Sequence, residues 1–576
     1  MTRHESIDPG ADGIEQGKRL IRVDNDRGAS LTQRLAESLQ RLTWRTPLHK
    51  LRLRGRFPLK LLAAPDDPIM GDLEAGQALL QGMIVWRGER IAIRNLDFAT
   101  LQGSPGLIEY LHSFAWLRDL STAATRHQAA PVAEAIMSRW LTAHAETVGG
   151  IAWRADLWGK RILFWTAHAP LILSSRDLVY RSAVLNTLAR GARHLDRAVD
   201  KAPDGIGKVA AWSGLIAAGL LIPGGDPRRA RAEAGFSRIV STVFTEDGGT
   251  TCRSPATLLE GIGLLTLLRA VYSARREAPL PVIETVLARA VPALLGVTHG
   301  DGGLASWQGG LPLDQACIAA TIDASGVRAR PLRQARDWGY QRLAGGGTIV
   351  TIDAAPPPHS RAASSGCAST LAFEMSDGAH RLIVSCGGAR NPGALLPTQF
   401  ASALRATAAH STLVVADANS TAVHADGSLG RGVVEVEIDR QEQESGSRIE
   451  ASHDGYVRRY GLLHRRQLAL SVDGRQLSGE DMLLPAGRRK RSAPFAIRFH
   501  LAQHVEVTLT ADNLGALLRI EGGPLWQFRC KGGTLDVEES LWVDTSGRPR
   551  ETQQLVISAE SPPGGASVSW LFKRAG

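Results

Sequence analysis

The chain lacks most of the signatures that mark common functional classes. Of its 576 residues only five are cysteine. Cys252, Cys317, Cys367, Cys386 and Cys530 lie far apart, form no CxxC pair and are odd in number, which argues against a disulfide framework and against a cysteine zinc site. The start, Met1 to Asp8, holds acids and no apolar run, so no secretory signal is visible and a cytoplasmic location is the expectation. The longest apolar stretches are Val209 to Ile222, too short for a bilayer, and Leu258 to Ala274, which carries Glu260 and Arg269. Both are expected to be buried helices, and no transmembrane segment is expected. GxSxG, HExxH and EF-hand patterns are missing, and Gly205-Ile206-Gly207-Lys208 has neither the glycine spacing nor the Ser/Thr of a phosphate loop. No glycine fingerprint follows a strand where a dinucleotide would need it. Hydride transfer, nucleotide hydrolysis and serine esterase chemistry therefore have little support.

What is present is an ordinary packed composition, 44% hydrophobic and 22% charged, which excludes a mainly disordered chain. The length calls for two or three domains. Lys plus Arg is 67 against 57 Asp plus Glu, a formal net charge of +10. Such an excess suits an anionic partner: a nucleic acid, an acidic membrane surface or a uronate polysaccharide. The nucleic-acid reading rests on charge alone and is not favoured.

The organisation expected along the chain is α+β. Residues 1–30 are polar and read as a disordered tail. Residues 31–105 read as a small mixed region, with short strands at Gly82 to Val85 and Arg90 to Ile93. From 106 to 340 the period is helical. Pro131 is placed in the first turn of a helix with Val132, Ile136 and Trp140 on one face, and Ser175 is placed as the cap of the next. Further helices are expected at Lys208 to Leu221, Arg229 to Phe244, Pro255 to Ser273 and Pro281 to Leu295. Helices joined by Gly/Pro loops without heptads suggest stacked hairpins in a solenoid or toroid. From 345 to 576 the pattern is period two. Leu371, Phe373 and Met375 alternate with Ala372 and Glu374, and Val434, Val436 and Ile438 with Glu435, Glu437 and Asp439. Leu468, Leu470 and Val472 lead into an Asp473-Gly474 hairpin turn. A large antiparallel β-sandwich is expected there.

Polar and aromatic residues gather at the turns: His112 to Asp119, Trp153 to Arg161, Glu246 to Gly249, Arg253-Ser254-Pro255, His299 to Gly303 with Trp307, Arg405 to Thr412, His453-Asp454-Gly455-Tyr456 and His464-Arg465-Arg466. At these residues the sequence resembles the heparinase II/III-like family, polysaccharide lyases built from an (α/α) toroid followed by an antiparallel β-sandwich. The resemblance covers roughly residues 90 to 570 and is strongest from Ala344 onward.

The resemblance implies cleavage of an anionic, uronate-containing polysaccharide by β-elimination. The C5 proton is scarcely acidic until the neighbouring carboxylate is neutralised, so an Arg, His or amide must hold that carboxylate while Tyr or His moves protons. Carried onto this chain, His410 becomes a neutraliser or base and Tyr456 a proton-transfer residue. Arg405, Arg253, Trp307, Asp247, His453 and His464 become substrate contacts, Arg for its bidentate fork and Trp for its flat face. No cofactor is implied, although a structural zinc at His410 and His464 with His453 is conceivable.

Departures from the family pattern favour a second reading. Active members commonly present an Asn-His pair, a Tyr after a Gly-Gly-His-type turn and an Arg-Ser-Pro-x-Tyr-His run. Here the turn reads Asp247-Gly248-Gly249-Thr250, and Arg253-Ser254-Pro255 is followed by Ala256-Thr257-Leu258. The alternative is a catalytically degenerate glycan-binding or cell-envelope polysaccharide assembly protein. The resemblance itself implies the periplasm or cell envelope, against the cytoplasmic location that the start of the sequence suggests. Plain structural roles stay open for each residue: His410 as a satisfied strand histidine, Tyr456 as a turn closure, the Asp-Gly-Gly runs as helix connections and the tryptophans as core. The Arg488-Arg489-Lys490-Arg491 run reads as a solvated loop or an anion site.

Overall fold

The computed structural model describes residues 14, 16–22, 53, 60–310, 313–358, 366–387, 396–425, 427–487 and 491–575. Most of the expected tail, and Arg488 to Lys490 of the basic run, lie outside the described residues. Helices fill the segment from Pro105 to Ser325, and strands dominate from Tyr340 to Arg574. The fold is α+β, a helical region followed by a large antiparallel sheet domain.

The helices begin where the chain offers a side-chain acceptor to free N–H groups. Ser104 caps Pro105–Ser113, Asp177 caps Leu178–Ala198, and Ser254 caps Pro255–Ala274 with Pro255 in its first turn. Two expected starts move. Asp177, not Ser175, is the cap, because the Ser175 hydroxyl is spent on Glu134. Pro131 lies inside Arg126–His144, which starts earlier through a capping box between Thr125 and Gln128.

At the centre of the helical region lies Ile206–Leu221, with every residue but Lys208 buried. It packs against Ala155–Ala167, Leu178–Ala198, Asp226–Val243 and Pro255–Ala274. Gly159 and Gly214 permit a close crossing: a Cβ on Gly159 would stand 2.1 Å from the Ala210 carbonyl oxygen. Pro255–Ala274 is long and apolar enough to cross a membrane, yet 67% of its apolar window is buried inside this fold.

Two sheets form the second half. In the nine-stranded sheet, Gly17–Arg22 is one edge, followed by Glu435–Gln443, Gly446–His453, Leu462–Ser471 and Gln476–Pro485. Ala566–Arg574, Leu525–Lys531, Gly515–Ile520 and Val505–Leu509 complete it. The eight-stranded sheet runs Thr534–Val543, Pro549–Ser561, Ala493–Leu501, His380–Val384, Phe373–Asp377, Thr348–Asp353 and Tyr340–Gly345, with Leu413–Val415 beside Ala493–Leu501. Between the sheets Phe373 stacks on Trp570, and Phe499 meets Phe528, Trp570 and Phe572.

Two expectations are corrected here. Gly17–Arg22, assigned to the tail, is a strand, because its backbone pairs residue for residue with Glu435–Arg440. Phe373–Asp377 is not half-exposed. All five residues are buried, since one face meets the sandwich core and the other meets the segment His299 to Trp307 of the helical region.

Candidate site at the junction of helices and sheets

The junction is closed by buried charge. Arg253, at the start of Pro255–Ala274, reaches into the sheet domain. Its Nε donates to the Trp338 carbonyl at 2.8 Å, Nη1 to that of Pro356 at 2.8 Å, and Nη2 to Asp353 Oδ1. The guanidinium lies 4.9 Å from the Tyr340 ring centroid. Asp353 Oδ2 also accepts from Gln308 Nε2 at 3.1 Å and Ser369 Oγ at 2.6 Å. Nearby, Glu374 accepts from the Ser306 amide at 3.0 Å and from Arg381 Nη1 at 3.1 Å, and Arg381 Nε bonds Asp301 at 2.9 Å. His299 bridges Ser376 and Thr351. The loop His299 to Gln308 is thus riveted to the strands Thr348–Asp353 and Phe373–Asp377.

The expected substrate contacts fall within this construction. Arg253 is buried and fully engaged. Trp307, also buried, donates its indole N–H to Ser385 Oγ at 3.1 Å and stacks on Tyr340. Asp247 holds the domain linker: its Oδ2 accepts the amides of Asp337 at 2.8 Å and Trp338 at 3.0 Å. Arg405, buried, donates through Nε to the Gly366 carbonyl at 2.7 Å.

His453 and His464 form a buried relay. The Gly455 amide donates to His453 Nδ1 at 3.1 Å, so Nε2 carries the proton and donates to His464 Nδ1 at 3.1 Å. His464 Nε2–H then donates to Asp481 Oδ1 at 2.8 Å. Asp481 is an ionised acceptor for Arg466, through Nε at 2.8 Å and Nη2 at 3.0 Å, and for Trp570 Nε1 at 2.9 Å. Burial opposes this charge, but Arg466 and His464 hold its carboxyl well below the usual range. Burial keeps His453 and His464 neutral. All four ring nitrogens are occupied, so the pair offers a metal nothing. Among the described residues no cluster of His, Cys, Asp and Glu could hold an ion.

Arg466 connects the relay to the other expected segment, donating to the Ser411 and Leu371 carbonyls at 2.8 Å each. His500 secures the same segment through the Ala408 carbonyl at 2.9 Å. Tyr456, buried, donates its hydroxyl to the Leu413 carbonyl at 3.0 Å, and burial pushes its phenol well above the ordinary value. His410 is fully buried, and neither ring nitrogen has a hydrogen-bond partner. Burial pulls its imidazole down to about 4, against the opposing attraction of Asp353 and Glu374.

The structure therefore brings His410 near Asp353 and Glu374, joins Arg253 to Asp353, and couples His453 to His464. Tyr456 stands by the relay, its ring 5.5 Å from that of His453. Asp353, Glu374, Arg381 and Asp481 were not singled out from sequence. Their signal was an acid or arginine at a strand position, legible only once the faces of those strands were known to be covered.

Residues 327–571 match the family described as Heparinase II/III-like, C-terminal. FtsZ-localized protein C of Caulobacter vibrioides is 29% identical over 564 residues, covering 92% of each chain. Among solved structures, heparinase III aligns over 94% of this chain and 90% of its own at 13% identity, with a TM-score of 0.69. A heparan sulfate lyase HepC mutant from Pedobacter heparinus aligns over 94% and 89% at 13% identity, with a TM-score of 0.59. These structures share the fold.

Proposed function

We propose that the chain, whose residues 327–571 match the heparinase II/III-like C-terminal family, is a non-cleaving relative of those lyases, an assembly protein directed to anionic glycan of the bacterial cell envelope at the division site. One observation carries the first element: Tyr456, the residue placed to transfer protons, is buried with its hydroxyl donated to the Leu413 carbonyl. A phenol so placed is a poor base and a poor acid, because the phenolate would be desolvated and the proton is already committed. The missing Tyr and His after Arg253-Ser254-Pro255 agree with it. The net charge of +10 supports an anionic glycan. The name of the Caulobacter relative, FtsZ-localized, supports the division site. A fluorescent fusion in the source organism tests the location: a band at the constriction plane is expected, and a uniformly diffuse signal contradicts it.

A second reading, lyase activity on a uronate polymer, is favoured by His410. A buried imidazole with two unpartnered nitrogens is costly, and a ring without an internal task is available to a group that reaches it. Loss of an observed elimination activity in His410→Ala, with the fold retained, would select this reading.

A further inference from the structure

The nine-stranded sheet ends on a strand that fits its place poorly. Gly17–Arg22 pairs antiparallel with Glu435–Arg440 over six residues, yet none of the six is buried and Leu20 is 56% exposed. On one face of the pairing Arg22 stands opposite Glu435, Leu20 opposite Glu437 and Lys18 opposite Asp439. The acceptor thus presents three carboxylates in alternation, and its own strand answers with two cations and a leucine. Arg22 pairs with Glu435 at 2.7 Å; Glu437 faces Leu20 and stays exposed. On the other face Ile21 packs half-buried against the sandwich core, and with Arg19 it borders a small crevice of about 60 Å³ lined by Gln334, Gln341 and Ile438. Beyond Ile21, the strand is held by its backbone ladder and by ion pairs of Arg22 with Glu435 and Arg19 with Asp337; ion pairs this exposed contribute little individually and are screened by salt.

An edge strand with no fully buried side chain, held mainly through its backbone, is displaceable. We propose that the outer edge of Glu435–Gln443 is a strand-acceptor site, occupied in the isolated chain by Gly17–Arg22. In a complex it is taken by an extended segment of a partner protein that carries a cation at every second position. Addition of a strand to a sheet edge supplies affinity through the backbone, while the alternating side chains supply selectivity. The Glu435, Glu437 and Asp439 triplet selects cation, cation, cation, which the resident strand does not provide. The site lies where the two halves of the protein meet. Arg440 of the acceptor strand donates to the Arg333 and Arg342 carbonyls and to Gln341 Oε1 at 3.0 Å each. This inference stands whether or not the chain cleaves glycan.

The test uses labelled peptides on the full-length protein and on a full-length K18E/R22E variant, which weakens the resident strand. One peptide copies Gly17–Arg22, a second carries lysine in place of Leu20, and a third carries glutamate in place of Lys18 and Arg22. The lysine peptide is expected to bind roughly tenfold tighter than the copy, and both to bind the variant roughly tenfold tighter than the parent chain, as for removal of a tethered competitor. Hydrogen exchange is expected to show protection of Glu435–Gln443 amides on binding. Equal binding of the acidic peptide, or no protection of that strand in the variant, overturns the proposal. So does a parent chain that is dimeric by light scattering and becomes monomeric in the variant, since a second copy would then be the occupant.

Discussion

His453 gives its Nε2 proton to Nδ1 of His464, 3.1 Å away, and the direction of that donation is fixed by the backbone. Because the Gly455 amide occupies the other nitrogen of His453, each ring has a single tautomer, and the chain of donors ends on the Asp481 carboxylate. The turn that carries Tyr456 is thereby tied to the strand Gln476–Pro485, and through Arg466 to the backbone beside His410.

These neutral rings make the protein sensitive to acid. Burial depresses the imidazoles of His112 and His500 to about 3 and of His410 to about 4, and lowers those of His144, His299, His453 and His464. A histidine depressed in the folded state takes up its proton first in the unfolded one, so stability falls as pH drops below about 6.5. Each ring contributes at most about 1.4 kcal/mol per pH unit. Asp119, which burial pushes up to about 6, and Glu374, raised by the same cause, act in the opposite sense. With seven rings against two carboxyls, the urea midpoint is expected to be lower at pH 5 than at pH 7; an equal or higher midpoint contradicts this network.

Removing Asp353 leaves the Arg253 guanidinium buried without its counter-charge. Asp353→Ala is expected to cost about 3–5 kcal/mol, and R253M/D353L to recover part of it by removing both charges. Denaturant unfolding of the three proteins checks this, and a double variant no better than D353A would show that the Gln308 and Ser369 bonds to Asp353, not the ion pair, dominate.

Tyr456→Phe keeps the ring and leaves the Leu413 carbonyl without its donor. The expected loss is about 1–2 kcal/mol, read as a shifted unfolding midpoint. A variant as stable as the parent would mean that the hydroxyl is not needed where it lies.

The helix crossing at Gly159 predicts a steric effect. Gly159→Ala places a methyl 2.1 Å from the Ala210 carbonyl oxygen, which must push Ile206–Leu221 away at a cost of about 1–3 kcal/mol. Thermal unfolding checks this, with Gly564→Ala as a control, since nothing lies within 4 Å of a Cβ there.

What the sequence revealed depended on how many faces of an element are covered. The hairpin at Asp473-Gly474 was legible because Leu462–Ser471 alternates between buried and half-buried positions, which writes period two into the residues. Phe373–Asp377 has both faces covered, so Glu374 read as a solvent position when it is the centre of an ionic cluster. That cluster joins Asp301, Ser306, Glu374 and Arg381, which meet only across the junction of the two halves. His410 and Tyr456 were found by resemblance; their burial was not legible, because it comes from packing by segments distant in the chain. Gly17–Arg22 was missed because a strand of exposed side chains carries no hydrophobic period.

The absence of elimination chemistry is checked by incubating the full-length protein with heparin, heparan sulfate, alginate and other uronate polymers. Absorbance at about 230 nm reports the unsaturated product of elimination. No increase above that of a heat-denatured control is expected on any polymer. A steady increase with one of them, abolished in Tyr456→Phe or His410→Ala while the fold is retained, would contradict the account and establish a lyase.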